Sequence, residues 1–170
     1  VSGYPIFCIF EAMDTTQFFE KIREGNLDEV KSALAADPQL LNARDQRGST
    51  PLVLAAYYNQ NEVVACLLEK GAPIDEKDGS GNTALMGVCF KGYTDTAKLL
   101  IDSGADVNAR NGMGMTCLIF AVTFNQEGIA RLLVENGADV NAIDARGESA
   151  LDHARNQGRE GLVEFLESHS

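Results

Sequence analysis

Positive charge is scarce in this 170-residue chain: 14 Lys and Arg face 25 Asp and Glu, for a net charge of −11. A protein that holds nucleic acid must neutralise phosphates, so general nucleic-acid binding is not expected. No run of eighteen apolar residues occurs, which excludes a membrane-spanning helix. Metal-ligating side chains are few. Cys8, Cys66, Cys89 and Cys117 form no C-x-x-C pair, and His153 and His169 complete no zinc spacing. Unpaired thiols suit a reducing compartment, so a cytoplasmic location is the expectation. The nucleophile elbow G-x-S-x-G, the H-E-x-x-H helix and the P-loop are all missing. No catalytic residue, no cofactor and no metal site is expected.

What the chain does have is a repeat. Asp45-Gln46-Arg47-Gly48-Ser49-Thr50-Pro51-Leu52 returns as Asp78-Gly79-Ser80-Gly81-Asn82-Thr83-Ala84-Leu85. It returns again as Asn111-Gly112-Met113-Gly114-Met115-Thr116-Cys117-Leu118 and as Asp144-Ala145-Arg146-Gly147-Glu148-Ser149-Ala150-Leu151, each time 33 residues on and without a gap. The far end of the unit repeats as Gly71-Ala72-Pro73-Ile74-Asp75, Gly104-Ala105-Asp106-Val107-Asn108 and Gly137-Ala138-Asp139-Val140-Asn141. A period of this length belongs to stacked supersecondary units, not to one closed core. The in-register glycines of Asp78-Gly79-Ser80-Gly81 therefore read as turn residues and not as a phosphate loop. Asp45, Asp78 and Asp144 read as turn acceptors, and Asn108 and Asn141 as turn residues.

Each unit predicts a pair of helices. Thr50, Thr83, Thr116 and Ser149 stand before apolar runs, where a hydroxyl caps the first turn, and Pro51 suits the first helical position. The short first helix, about eight residues, stops at Asn59, Gly92, Asn125 or Gly158, which tolerate positive φ. The second carries apolar residues at i, i+3 and i+4, such as Val63, Val64, Leu67 and Leu68, and ends at Gly71, Gly104 or Gly137. Such a pair buries its apolar face only by stacking, with Ala55, Ala56, Ala121, Ala154, Val88 and Cys89 at the close contacts. Cys66 and Cys89 are expected to be buried and inert. Cys117 stands where Pro51 stands in the first copy and is expected to be partly exposed. His153 replaces Leu54 and reads as a packing or capping histidine, and Ser149 as a cap, not a nucleophile.

The pattern closely resembles the ankyrin repeat. Thr50-Pro51-Leu52-Val53-Leu54-Ala55-Ala56 is similar to that family's Thr-Pro-Leu-His-x-Ala-Ala motif, with Val53 in place of His. The resemblance covers about residues 12–170 and implies an all-α solenoid of L-shaped units with projecting β-turn fingers. The expected domain is 13–170, with a front cap at 13–44, repeats at 45–77, 78–110 and 111–143, and a rear cap at 144–170. Residues 1–12 lie outside the repeat and lack the basic start and small-residue cleavage site of a signal peptide. They read as a leader, natural or added in cloning. The alternative is that Ile6, Phe7, Ile9 and Phe10 dock on the array or on a neighbouring molecule.

The resemblance also implies a function and a surface: a protein-interaction module, expected to be monomeric, whose fingers and short helices line a concave groove. Carried over residue by residue, the partner-binding set is Arg47, Tyr57, Tyr58, Lys77, Phe90, Lys91, Arg110, Met113, Met115 and Phe124. Four of the chain's twelve aromatic residues fall in that set. Such groups dominate binding hot spots, although Phe90 and Phe124 could instead fold back between helices. Six basic residues occupy groove positions (Arg47, Lys70, Lys77, Lys91, Arg110 and Arg146) against one acid, Glu148. That predicts an acidic or apolar-acidic protein or peptide partner, unless these side chains merely solvate the turns. The runner-up is a regulatory or inhibitory subunit of an enzyme. An enzyme with an unrecognised groove site, or an engineered binder, ranks lower; the irregular core choices Val88, Cys89 and Cys117 argue for a natural sequence.

Overall fold

A helix of seven or eight residues has little stability of its own, and the fold is built around that fact. The computed structural model describes residues 13–170, so the leader at 1–12 and Cys8 lie outside the described residues. Ten α-helices follow in hairpin pairs among the described residues: α1 (Thr15–Glu24) with α2 (Leu27–Ala36), α3 (Pro51–Tyr57) with α4 (Asn61–Glu69), α5 (Ala84–Lys91) with α6 (Thr94–Asp102), α7 (Cys117–Thr123) with α8 (Glu127–Glu135), and α9 (Ala150–Asn156) with α10 (Glu160–Glu167). A 3-10 turn, Pro38–Asn42, replaces the finger after the front cap. The first helices α1, α3, α5, α7 and α9 pack on one another as an inner row, and the second helices form a looser outer row.

The caps form as expected. The backbone N–H groups of Val53, Met86, Ile119 and Asp152 donate to the hydroxyls of Thr50, Thr83, Thr116 and Ser149 at 3.1, 3.3, 3.3 and 3.2 Å. Asn59 and Asn125 end their helices with φ of 57° and 64°. The outer helices of the three repeats and the rear cap start without any side-chain cap. Their starts rely on packing and on the Gly or Asn turn before them.

The core is continuous along the stack. Ala55, Ala56, Val88, Cys89, Ala121 and Ala154 are fully buried between inner helices. Cys66 is buried too, with 4% exposure. Cys117 departs from expectation: it is fully buried, because the first helical position faces the neighbouring units and not solvent. Burial raises the Cys89 thiol pKa well above its ordinary value, and contact with Cys117 raises it further. The Cys89 thiol is therefore inert at neutral pH. One buried polar group links two units: the hydroxyl of Thr96 on α6 donates to Asn59 Oδ1 at 2.7 Å and to Asn61 Oδ1 at 2.5 Å.

The rear cap is held by polar as well as apolar contacts. Arg159 reaches Glu127 on α8 at 3.2 Å, Gln157 Nε2 donates to the Thr123 carbonyl at 3.0 Å, and the Arg131 guanidinium lies 4.4 Å from the Phe165 ring centre.

Removing residues 147–170 should bare the apolar side of α7 and α8. The truncated chain is expected to aggregate or lose helicity in circular dichroism; a monomer as stable as the full chain would contradict the stacked architecture. Leu118→Ala, in the middle of the inner row, should cost about 2–5 kcal/mol in a urea titration.

Candidate binding groove

Each finger is an Asx-type turn that builds itself from its first residue. Asp45 Oδ1 accepts the N–H groups of Arg47 and Ser49, both at 2.9 Å. Asp78, Asn111 and Asp144 do the same two and four residues on. The fourth residue turns left-handed, as at Gly81 with φ of 80°. A Cβ there would stand 2.9 Å from the backbone N of Gly112 on the next finger, so the close approach of fingers needs glycine.

Basic side chains at the last repeat position then tie each finger to the next. Arg44 Nη1 donates to the carbonyls of Gly48 and Lys77 at 2.8 and 2.6 Å. Lys77 Nζ donates to the Arg110 carbonyl at 2.7 Å. Arg110 Nη1 donates to the Ile143 carbonyl at 2.6 Å and reaches Gly114 O at 3.3 Å. Lys77 and Arg110 are thus rungs of a ladder that spaces the fingers. Each spends a donor on the chain's own backbone, and both side chains stay exposed with further N–H groups. The ladder ends at Ile143, whose side chain is half exposed beside Met113, at 61% exposure.

Met115 is corrected. It is buried, as Ser49 is at the same place in the first finger, because the fifth finger residue turns toward the helix it precedes. Arg47, Tyr57, Tyr58, Phe90, Lys91, Met113 and Phe124 are exposed. Tyr57 and Tyr58 meet edge-on with ring centres 5.7 Å apart. Lys91 Nζ lies 5.0 Å from the Tyr57 ring centre and 5.9 Å from that of Tyr93. Phe90 meets Phe124 edge-on at 4.6 Å, and Phe124 stacks on Phe120 at 6.0 Å. The aromatics therefore form a row across three units, each ring about 40% exposed and braced by a neighbour.

Sequence reasoning missed the front of the groove. A hollow of about 1040 Å³ opens there, lined by Thr15, Thr16, Phe19 and Arg23 of α1, by the finger at 44–49, and by Val53, Leu54, Tyr57 and Tyr58. The front cap lacks the 33-residue register, so α1 gave no repeat position to carry over. Arg23 pairs with Asp45 at 3.6 Å, whereas Arg47 makes no ion pair among the described residues.

At the other end, the last finger gathers ionisable groups. His153 Nε2 lies 3.1 Å from Asp144 Oδ2 and 3.9 Å from Glu148 Oε2. Arg146 approaches the same two carboxylates at 3.8 and 3.0 Å. Burial works to raise the Asp144 pKa, but the N–H of Glu148, then His153 and the backbone and guanidinium of Arg146, outweigh it and hold the pKa below the usual carboxylate value. No described helix is long and apolar enough to cross a membrane.

Known proteins agree with this architecture. A family model for ankyrin repeats (3 copies) matches residues 18–111, and one for ankyrin repeats (many copies) matches residues 100–154. The chain belongs to the ankyrin-repeat family. It is similar to the DNA-binding protein RFXANK of Homo sapiens, 33% identical over 70 residues, which is 41% of this chain and 27% of that protein. The match thus spans about a quarter of that relative's length. Ankyrin repeats are in general protein–protein interaction modules and typically lack catalysis.

Two outcomes separate ladder from groove. Arg110→Ala should lower stability by about 1 kcal/mol, the worth of its hydrogen bonds. Arg47→Ala should leave it within about 0.5 kcal/mol, both read from urea midpoints. The Asp144 pKa is depressed by folding, so its contribution is full above the ordinary value of 3.8 and is lost as pH falls below it. Acid titration by circular dichroism should show the rear cap loosening in that window, and Asp144→Asn should remove that part of the pH dependence.

Proposed function

We propose that this chain binds a partner protein or peptide through the concave side of the array, along the aromatic row from Tyr57 and Tyr58 to Phe90 and Phe124. The observation that carries this reading is the row itself. Four large rings stay about 40% exposed although each touches another side chain. Rings held in place lose little freedom on binding, so their burial favours a complex at low entropic cost. Single exposed apolar residues would need no explanation, but a braced row of them along one face does.

The partner segment is apolar with acidic residues at its margin. Arg47, which lines the same hollow as the tyrosines, and Lys91 over the Tyr57 ring supply the complementary charge. Lys77 and Arg110 give only part of their N–H groups to backbone, and the proposed contact also takes in the hollow between α1 and the first finger, where Arg47 lies. A nucleic-acid partner is not part of this reading, in spite of the relative's name, since the chain's net charge is −11. The array acts as a monomer in a reducing compartment, the cytoplasm, where its three buried thiols stay unpaired. A regulatory or inhibitory subunit would use the same groove, with an enzyme as the partner.

The test is a pull-down with the intact chain beside a Tyr58→Ala/Phe124→Ala variant, read by mass spectrometry, then titration of the purified partner. Each single replacement should weaken binding by about 2 kcal/mol if the residue is a hot spot. Lys91→Glu should mainly slow association and reduce its salt dependence. Affinity unchanged in all three variants, with helicity at the wild-type level, would move the site to the convex side and overturn the proposal.

A further inference from the structure

The four units invite a position-by-position comparison at one spot: the first and fifth finger residues and the tenth residue, on the inner helix. In the first unit these are Asp45, Ser49 and Leu54; in the second, Asp78, Asn82 and Gly87; in the third, Asn111, Met115 and Phe120. The last unit has Asp144, Glu148 and His153, so three residues with metal-ligating atoms coincide in that unit alone. One ligand atom from each lies within 4.8 Å of the other two. We propose that this finger-to-helix site is a divalent transition-metal site, best suited to zinc, with Asp144 Oδ2, Glu148 Oε2 and His153 Nε2 as protein ligands and water completing the shell.

The division of labour within Asp144 supports this. Its Oδ1 is occupied by the Arg146 and Glu148 N–H groups and shapes the turn, as in every other finger. Its Oδ2 points away from that turn to the imidazole, 3.1 Å away. Two ligands on one tetrahedral zinc, each about 2.0–2.1 Å from the metal, stand roughly 3.3 Å apart, so the Asp144–His153 pair already has nearly that separation. Glu148 Oε2, at 3.9 Å from His153 Nε2 and within 4.8 Å of Asp144 Oδ2, must move closer to both and give up its ion pair with Arg146, and its side chain is one-third exposed. The imidazole favours zinc over magnesium or calcium, which take oxygen ligands.

The resident competitor is Arg146, which neutralises part of the two carboxylates. Its side chain is 71% exposed, and an ion pair so open to water yields little on breaking. Binding transfers the imidazole proton from Nε2 to Nδ1, leaving the Nε2 lone pair for the metal and the ring neutral. A bound ion would clamp the finger at 144–148 to α9.

The probe is zinc chloride, titrated calorimetrically into the full chain in a non-coordinating buffer with excess magnesium chloride. The expected result is one zinc per chain and a higher melting temperature. His153→Gln and Glu148→Gln should each weaken binding at least about tenfold, while His169→Ala leaves it unchanged. Arg146→Ala should tighten binding, a result that a merely structural hydrogen bond at His153 would not produce. Circular dichroism checks that each variant folds. Should His153→Gln fail to fold, Glu148→Gln and the nitrogen shifts of the His153 ring in the wild-type chain decide instead. No saturable zinc binding, or binding insensitive to both ligand replacements, overturns the proposal.

Discussion

A seven-residue helix in water is barely a helix, since closing its first turn fixes several residues for a single hydrogen bond. The inner helices α3, α7 and α9 have seven residues each and α5 has eight. Their stability comes from the neighbours on either side, and every other feature of the molecule follows from that dependence. Small residues at the contacts let the inner helices approach closely. Positive φ at Asn59 and Asn125 turns the chain back at once, so the second helix covers the first. Among the described residues, α1 with α2 and α9 with α10 each pack on one neighbouring helix pair. Arg159–Glu127 and Arg131 over Phe165 add polar fastening where apolar burial is halved.

The fingers face a different problem. They carry little apolar surface and cannot be spaced by packing. Spacing is set by hydrogen bonds with the same 33-residue step as the helices: Arg44 to Lys77, Lys77 to Arg110 and Arg110 to Ile143, each side chain donating to the carbonyl of the equivalent residue one unit on. A second set runs along the opposite edge, from Asp106 N–H to Asp75 and from Asp139 N–H to Asn108, at 2.9 and 2.8 Å. Two polar rails thus hold the fingers at the pitch that the helices dictate, and the groove between them is formed before any partner arrives.

The helix pairs were legible in the sequence because they depend on local signals that recur in register: Thr50 before its run, Gly71 after it, alanine at the close contact. Contacts between units were much less legible. A Lys at position 77 reads the same whether it meets a partner or the Arg110 carbonyl, since both are exposed and both want a cation. Met115 falls in the groove set through its repeat position, as Met113 does, yet a β-turn points residues two apart in different directions, and Met115 is buried. Cys117 was misjudged by analogy with Pro51, whose own burial was equally invisible from spacing. The front hollow escaped notice since α1 lies outside the register, and the cluster around His153 since its members are remote in character, a turn acid, a finger acid and a helix histidine.

The residues that build the stack differ from those proposed to meet a partner, and the repeat explains why. The positions that build the stack look inward along the inner row, whereas Tyr57, Tyr58, Phe90 and Phe124 occupy the last positions of the inner helices, where the chain is about to leave the stack. A side chain there is positioned by two helical turns behind it but buried by nothing in front. It can be large and apolar without altering the pitch, and its neighbours in adjacent units supply the bracing contacts that a closed core would otherwise give. The aromatic row is therefore a consequence of stacking as much as the core is: three units contribute one or two rings each, and only the array makes them a surface.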